Sequence, residues 1–520
     1  MNHQPPSFLP LRNLGDKRPL HFLTPYPQQM RVGKTRIHLF ERRVGCRARG
    51  GAASQGVADA LAADLQKIVR LPLVRAAQAD FVVDLSLAEI DLPAEGYELK
   101  IDAGGATLVA GDEPGLSHGV QTLLQLAAFG RGVVPVLTLR DWPAYRMRSV
   151  MLDLGRGVYT KAMIERTIRI MARLKLNVLH LHLYDDELMG LRFRGLPLGR
   201  ENPGAISLDD LADIVQYARR HHIAVCPEIE SWGHVGSVLH HYPECYGAPG
   251  VYCGACFGVG PATFELLEKI YDEVIPTLDT QSAVHLGMDE ANWKLLPGVQ
   301  AQPFMNPTWL VGELHDLLMK VGRRHRRELT MHIWADHGGR PLPERLRHKI
   351  VVQPWNYFMS DAPAIRQKIR RFAAPDQGPF IMGAGASSMH FSGAIGATRL
   401  WCKYGQAAAN CLGVNICLWE GNLIDEQLIS IYGGAAAAWN PRRLDAPRKN
   451  DVHEECVVGR MATCMLSWQA LFEDAHIDAL RCDRGPAVYR GYYLNGPKVG
   501  QPVAPTVTQV QDHHVVDATQ

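Results

Sequence analysis

The sequence predicts an α/β fold, a (β/α)8 TIM barrel preceded by a small α+β domain. Three observations predict it. Eight short apolar runs alternate with helix-period segments over roughly 290 residues, a count that doubly wound open sheets seldom reach. Ahead of them lie an alternating strand pattern, a Gly-Gly hairpin signal and a long helix-period segment. Between the two patterns stands Asp141-Trp-Pro143, where proline marks a boundary.

In chain order, residues 1–55 are rich in Pro, Gly and Arg and read as an irregular N-terminal segment. A helix-period stretch follows over Val57–Val69, then a strand over Phe81–Leu87. Tyr97–Asp102 and Ala106–Ala110 read as a hairpin whose Gly104-Gly105 turn supplies positive φ. A helix over Leu116–Ala128 completes a small α+β domain expected at 56–142. The barrel is expected at 143–441. Its strands are read as Ser149–Leu154, Asn177–Leu183, Ala224–Ile229, Ala283–Gly287, Thr330–Trp334, Ile350–Trp355, Phe380–Gly383 and Val414–Trp419. Helix-period segments fall between them at Lys161–Leu174, Leu208–His221, Phe264–Ile275, Trp309–Arg324, Ala362–Arg371 and Ile424–Ala438. Residues 442–520 read as a C-terminal helix (Gly459–Glu473) with a polar tail.

Composition narrows the function classes. The 55 basic and 53 acidic residues among 520 nearly cancel, leaving no basic excess for a nucleic acid. The run Arg42-Arg43-Val-Gly-Cys-Arg47-Ala-Arg49 is short and reads as a solvated face. No stretch of about 18 apolar residues suggests a membrane span. Met1-Asn-His-Gln-Pro-Pro lacks the pattern of a secretory signal, and the 11 cysteines are odd in number and scattered. A cytoplasmic protein with reduced thiols is expected. Cys253-Gly-Ala-Cys256 has no second ligand pair to make a zinc site, so no metal and no cofactor are expected.

In such a barrel the active site lies at the C-terminal ends of the strands. Strand 1 runs into Arg156 through Leu152-Asp-Leu-Gly-Arg156. Strand 2 reads His180-Leu-His182-Leu-Tyr-Asp185-Asp186, strand 3 Pro227-Glu-Ile-Glu-Ser-Trp-Gly-His234, and strand 4 His285-Leu-Gly-Met-Asp289-Glu290. Strands 5, 6 and 8 end on Trp334, Trp355 and Trp419. Singly, each has a plain structural reading: a capping Asp-Glu pair, a salt-bridged Arg, packed tryptophans, buried histidines bonded to neighbours. Together they suit a sugar, whose apolar C–H faces want aromatic walls and whose hydroxyls want charged partners. Glycosidic cleavage also needs a carboxylic acid to protonate the leaving oxygen. Glu290 can serve if burial or the adjacent Asp289 raises its pKa.

On these four motifs the chain resembles the family 20 glycoside hydrolases, the β-N-acetylhexosaminidases. The segment Ala110-Gly-Asp-Glu-Pro-Gly-Leu-Ser-His-Gly-Val-Gln-Thr-Leu-Leu-Gln125 is similar to the small domain that precedes the family's barrel. The resemblance implies a retaining, substrate-assisted mechanism acting on terminal β-linked N-acetylhexosamine, GlcNAc or GalNAc. It makes Glu290 the general acid and then base, and gives Asp289 the substrate's acetamido group. Arg156 would grip sugar hydroxyls, Asp185 and His234 would form a relay to Glu290, and Trp334, Trp355 and Trp419 would wall the pocket. The chain departs from the family at Met288, Trp232 and Gly157, where Gly, Pro and His are usual. Phe380 to Phe391 on strand 7 offers no tyrosine for the acetamido oxygen, and Tyr357, after strand 6, is the one available to substitute. After strand 8 the family's Trp-Gly-Glu becomes Trp419-Glu-Gly-Asn422, so the carboxylate for the outer hydroxyls has shifted or is replaced by Asn422. These changes suggest a divergent branch.

Two other readings stay open on sequence. One is a carbohydrate-binding protein that keeps the pocket without turnover. The other is a metal-dependent amidohydrolase using His180-x-His182, which needs further histidines on later strands. An oligosaccharide is the expected partner, with no nucleic acid or membrane; the sequence leaves the oligomeric state open.

Overall fold

The computed structural model describes residues 20, 23–251, 254–296, 306–336, 341–357, 362–386, 394–419 and 424–444. The expected helix at Gly459–Glu473, the polar tail, Cys253, Asn422 and the end of the strand 7 motif lie outside these residues. The chain divides into two compact units. The first takes the described residues up to Arg146, with Ala172–Lys175 and the chain from Ala435. The second takes Met147–Met171 and Leu176–Gly434.

The first unit is a sheet of strands β1 (Gln29–His38), β2 (Val44–Arg49), β3 (Phe81–Leu87), β4 (Tyr97–Asp102), β5 (Gly105–Ala110) and β6 (Val133–Asp141). Their order is β1-β6-β4-β5-β3-β2. Helices α1 (Ala52–Asp64) and α2 (Glu113–Phe129) pack on it. Period-two alternation sends Phe81, Val83, Leu85, Tyr97, Leu99, Ile101, Ala106 and Leu108 into one buried core. Helix α2 starts where Asp112 accepts the Gly115 amide at 2.7 Å, with Pro114 in its first turn.

Three strands correct the expectation. β1 and β2 lie in the segment read as irregular. They are the two edges of the sheet, and Ile37 is the only fully buried residue of β1, so its polar run carries no alternation. β6 was not expected because it contains Pro135, which falls where the β1–β6 register shifts. The hairpin turn is Ala103-Gly104, and neither Gly104 nor Gly105 takes a left-handed φ. Asp102 accepts the Gly104 amide at 3.0 Å instead. Gly105 is glycine for space, since a Cβ there would lie 2.3 Å from the Val82 carbonyl oxygen.

The second unit is a closed barrel of eight parallel strands: β7 (Met147–Asp153), β8 (Val178–His182), β9 (Ala224–Glu228), β10 (Gln281–His285), β11 (Glu328–Trp334), β12 (Ile350–Gln353), β13 (Phe380–Ala386) and β14 (Cys411–Leu418). Each overlaps its predicted run. The surrounding helices include α3 (Lys161–Arg173), α4 (Leu208–Arg220), α5 (Pro261–Val274), α6 (Thr308–Arg324), α7 (Ala362–Phe372), α8 (Ala394–Gly405) and α9 (Ile424–Trp439). Helix α4 opens on a capping box, with Ser207 Oγ accepting the Asp210 amide and Asp210 accepting the Ser207 amide, both at 3.0 Å. Helix α8 was not expected; it fills the crossover between β13 and β14 that every (β/α)8 barrel requires.

The register positions the site. Asp153, His182, Glu228, His285 and His332 are successive partners across β7 to β11. In-register neighbours of a parallel sheet share a face, so these five ionisable groups form one layer near the strand ends.

Candidate active site

β10 ends at His285, two residues earlier than read from the sequence, and the reacting candidates lie in the turn beyond it. Gly287, Met288 and Glu290 all take left-handed φ, at 62°, 71° and 49°. Adjacent residues of a strand would have faced opposite ways. The twisted turn instead brings Asp289 and Glu290 together against His234, itself left-handed at φ 53°. Left-handed non-glycine residues are strained and persist only where the surroundings fix them. The fixing contacts are present: Asp336 accepts the Glu290 amide at 3.0 Å, and Asp336 also accepts the Trp355 indole at 2.9 Å. A Cβ at Gly287 would lie 1.8 Å from Glu230 Oε2, so that residue is glycine for space as well.

His234 is the hub of the pair. Its Nδ1 is 3.1 Å from Asp185 and 3.2 Å from Asp186, and its Nε2 is 3.7 Å from Asp289 and 3.4 Å from Glu290. Burial opposes its charge, yet the Asp185 and Asp289 carboxylates hold its pKa well above the ordinary histidine value. Asp186 is fixed by the Gly236 and Ala255 amides, each 2.9 Å away.

Arg156 follows β7. Its guanidinium meets Asp185 at 2.6 Å, Asp153 at 3.3 Å and Glu187 at 3.3 Å, and it lies 5.5 Å from the centre of the Trp419 ring. Gly155 allows this approach, since a Cβ there would sit 2.6 Å from Asp185. Burial, together with the carboxylates of Asp185, Asp186 and Asp153, raises Glu187 to about 8 against the pull of Arg156.

The tryptophans differ in station. Trp334 is buried, 1% exposed, among Met151, Tyr357 and Cys417, and donates its indole N–H to Glu228 at 2.6 Å. Trp419 and Trp355 pack on that cluster and stay partly open. Trp419 meets Trp334 at 5.6 Å, and Trp355 stacks on Tyr357 at 5.5 Å. These contacts, with Asp336 linking Trp355 to Glu290, join all eight predicted residues: Arg156, Asp185, His234, Asp289, Glu290, Trp334, Trp355 and Trp419.

Burial pushes the Asp289 carboxyl up to about 8, with Asp336, Glu228 and Glu290 adding to the effect and His234 opposing it. Sequence reasoning missed Glu228, Glu230, Glu187 and Asp336. Tyr357, noted only as a substitute, is placed by its neighbours: its hydroxyl is bonded to Trp419 and Cys417, and burial holds its pKa well above the ordinary tyrosine value. The signal for Glu228 and Glu230 was their alternation at the end of strand 3.

Among the described residues three buried groups have a spacing that a cation could accept: His180 with Glu228 and His285, His182 with Glu228 and Glu230, and Asp185 with Asp186 and His234. Later strands therefore do turn histidines inward, contrary to the reading from strand ends. Glu228 lies 2.7 Å from His182, 3.0 Å from His180 and 3.0 Å from His285.

Residues 145–371 match the model of the glycosyl hydrolase family 20 catalytic domain, and residues 20–142 match that of domain 2 of the same family. A β-hexosaminidase of Porphyromonas gingivalis is 30% identical over 321 residues, which are 51% of this chain and 41% of the relative. A β-N-acetylhexosaminidase of Cellulomonas fimi is 33% identical over 241 residues, 41% of this chain and 47% of the relative. The chain thus spans less than half the length of these curated relatives. Among solved structures, Streptomyces plicatus N-acetyl-β-hexosaminidase in complex with Thio-NAglucal aligns over 88% of this chain and 96% of its own, with a TM-score of 0.65 and 24% identity. Flavobacterium johnsoniae chitobiase aligns over 89% and 75%, with a TM-score of 0.68 and 19% identity, a likeness of fold. With the two matched domains in tandem, the chain belongs to glycosyl hydrolase family 20.

Proposed function

We propose that the protein is a retaining exo-glycosidase that removes terminal β-linked N-acetylhexosamine by substrate-assisted catalysis. The observation that carries this reading is the Asp289–Glu290 turn, two adjacent carboxyls gathered on His234 within 3.7 Å and 3.4 Å. It is supported by the names of the relatives, a β-hexosaminidase and a β-N-acetylhexosaminidase. Asp289 takes the acetamido N–H and balances charge as the acetamido oxygen attacks the anomeric carbon. Glu290 gives its proton to the departing oxygen, the C–O bond breaks, and an oxazolinium forms. Glu290 then removes a proton from water, whose oxygen adds to the anomeric carbon and reopens the ring with retention. Arg156 holds ring hydroxyls, Asp185 orients His234, and Trp334, Trp355 and Trp419 wall the site. Tyr357, beside Trp419, serves the acetamido oxygen by turning its hydroxyl proton from Cys417 to the substrate.

The test is turnover of chromogenic N-acetyl-β-glucosaminide and N-acetyl-β-galactosaminide. Hydrolysis is expected, with inhibition by a thiazoline mimic of the oxazolinium. Glu290→Gln is expected to lower kcat by about 10²–10⁴-fold on a poor leaving group. Full activity in that variant would remove the assignment. We propose a cytoplasmic setting as well, supported by the odd number of cysteines, 11, and checked by fractionating the producing cells.

A further inference from the structure

Glu228 is a fully buried carboxylate, yet it takes no part in the chemistry above. Trp334 Nε1 donates to it at 2.6 Å and His182 Nδ1 is bonded to it at 2.7 Å, while His180 Nε2 and His285 Nδ1 each stand 3.0 Å away, the latter accepting the Gly287 amide. These nitrogens divide between its oxygens, Trp334 and His285 beside Oε1, and His182 and His180 beside Oε2. From Glu228 a chain of alternating carboxylates and imidazoles leads to the reacting pair. His182 Nε2 is 2.9 Å from Asp185 Oδ2, Asp185 Oδ1 is 3.1 Å from His234 Nδ1, and His234 Nε2 is 3.4 Å from Glu290. Each inner link is 1–5% exposed, so water competes little for these bonds.

We propose that His182 and Glu228 are positioning residues that lock the His234 ring against Glu290 through Asp185, while Glu228 holds the pocket wall at Trp334. The alternation of charge makes this workable inside a barrel. An imidazolium between two carboxylates is compensated on both sides, whereas a lone buried ion is not. Burial disfavours a charge on His182, but Glu228, Asp185 and Asp153 overcome it and raise its pKa to about 10. His182 thus donates from both ring nitrogens, and only a doubly protonated ring can bond carboxylates on both sides. With both oxygens of Asp185 engaged, on one side by His182 and Arg156 and on the other by His234, its carboxyl plane and the His234 ring have a single arrangement. Glutamine at 228 has one acceptor oxygen and cannot serve His182 and Trp334 as the two carboxylate oxygens do.

This inference rests on Glu290 being the general acid, and it is tested with two variants and two substrates of the full chain. Glu228→Gln and His182→Gln are purified, and their fold is checked by circular dichroism. kcat is measured on an N-acetyl-β-glucosaminide of dinitrophenol, which departs without a proton, and on chitobiose, whose sugar oxygen needs one. His182→Gln leaves Trp334 bonded to Glu228, so it isolates the chain from the wall. The expected result is a fall of at least about 10-fold on chitobiose in the folded variants, with the dinitrophenyl glycoside affected much less. A purely structural role lowers both substrates alike. Equal losses, or none, in the folded variants overturn the proposal. Failure of the underlying activity reads differently: the unmodified protein hydrolyses neither glycoside, or Glu290→Gln keeps its rate.

Discussion

Asp289 keeps its carboxyl at a cost to the fold. In the unfolded chain an aspartate ionises near about 4. In the folded site burial, with Asp336, Glu228 and Glu290, delays ionisation to about 8 against the pull of His234. The folded pKa is the raised one, so this residue's contribution to stability is whole below about pH 4 and is lost as pH climbs toward 8. Asp289→Asn removes the group that must ionise. The variant should therefore unfold at a higher temperature near neutral pH, by on the order of 0.5–2 kcal/mol. Near pH 4, where both states hold the proton, the gain should vanish. Its kcat should fall about 10²–10³-fold, because an amide cannot balance the charge that develops on the acetamido group. Calorimetry at the two pH values and a rate assay check the pair of effects. A melting difference independent of pH would show that Asp289 ionises as an ordinary aspartate. Glu187, raised to about 8 by burial and neighbouring carboxylates, carries the same sign.

The elements were readable to different depths, and the reasons are physical. Barrel strands such as Val178–His182 are buried throughout, so they print as short apolar runs. The edge strand Gln29–His38 is mostly exposed and prints as polar chain. Helix Ala394–Gly405 is predicted by the barrel's need for a crossover between β13 and β14. Strand ends were the hardest: β10 stops at His285, and that early stop gives the left-handed turn its room. Two substitutions separate the turn from the scaffold. Gly287→Ala puts a Cβ on Glu230 at a left-handed φ, so the turn must shift. A displacement of about 1 Å at the reacting pair should lower kcat by about 100-fold, while the barrel still folds. Ser207→Ala deletes the α4 capping box and should lower stability by about 0.5–2 kcal/mol, leaving kcat unchanged. Urea denaturation beside a rate assay shows whether each effect stays in its own column, and normal turnover by Gly287→Ala would mean that the turn has slack.

On the scale of the whole molecule, the site was legible as strand-end motifs, because Arg156, Asp185, His234, Asp289 and Glu290 each follow a strand directly. Its buried half was not, since Glu228 meets His182 and His285 only through the register of separate strands. The first unit is held the same way. Gln28, Tyr97, Lys175 and Trp439 come from distant stretches of chain and, with the adjacent Trp142, converge on Asp141, which is fully buried. Oδ1 accepts the Gln28 amide at 2.9 Å, the Trp142 amide at 3.1 Å and the Trp439 indole at 2.8 Å. Oδ2 accepts the Tyr97 hydroxyl at 2.7 Å and Lys175 Nζ at 3.0 Å. Lys175 also lies 4.9 Å from the Tyr97 ring centre and 4.5 Å from that of Trp439. Two accounts of this cluster differ in what they forecast. If the ion pair holds it, removing either partner strands a buried charge and costs the same, about 3–5 kcal/mol. If Asp141 is a five-donor hub, Lys175→Met leaves a carboxylate that four other donors still stabilise. Asp141→Ala instead leaves Lys175 without its carboxylate and takes the acceptor from two amides and an indole, while the Tyr97 hydroxyl keeps Thr122 at 2.6 Å. The geometry favours the hub, so Asp141→Ala should be the more destabilising of the two by at least about 1 kcal/mol. Denaturation of both variants, followed by tryptophan fluorescence, decides between them. Equal losses, or a greater loss in Lys175→Met, would assign the cluster to the ion pair.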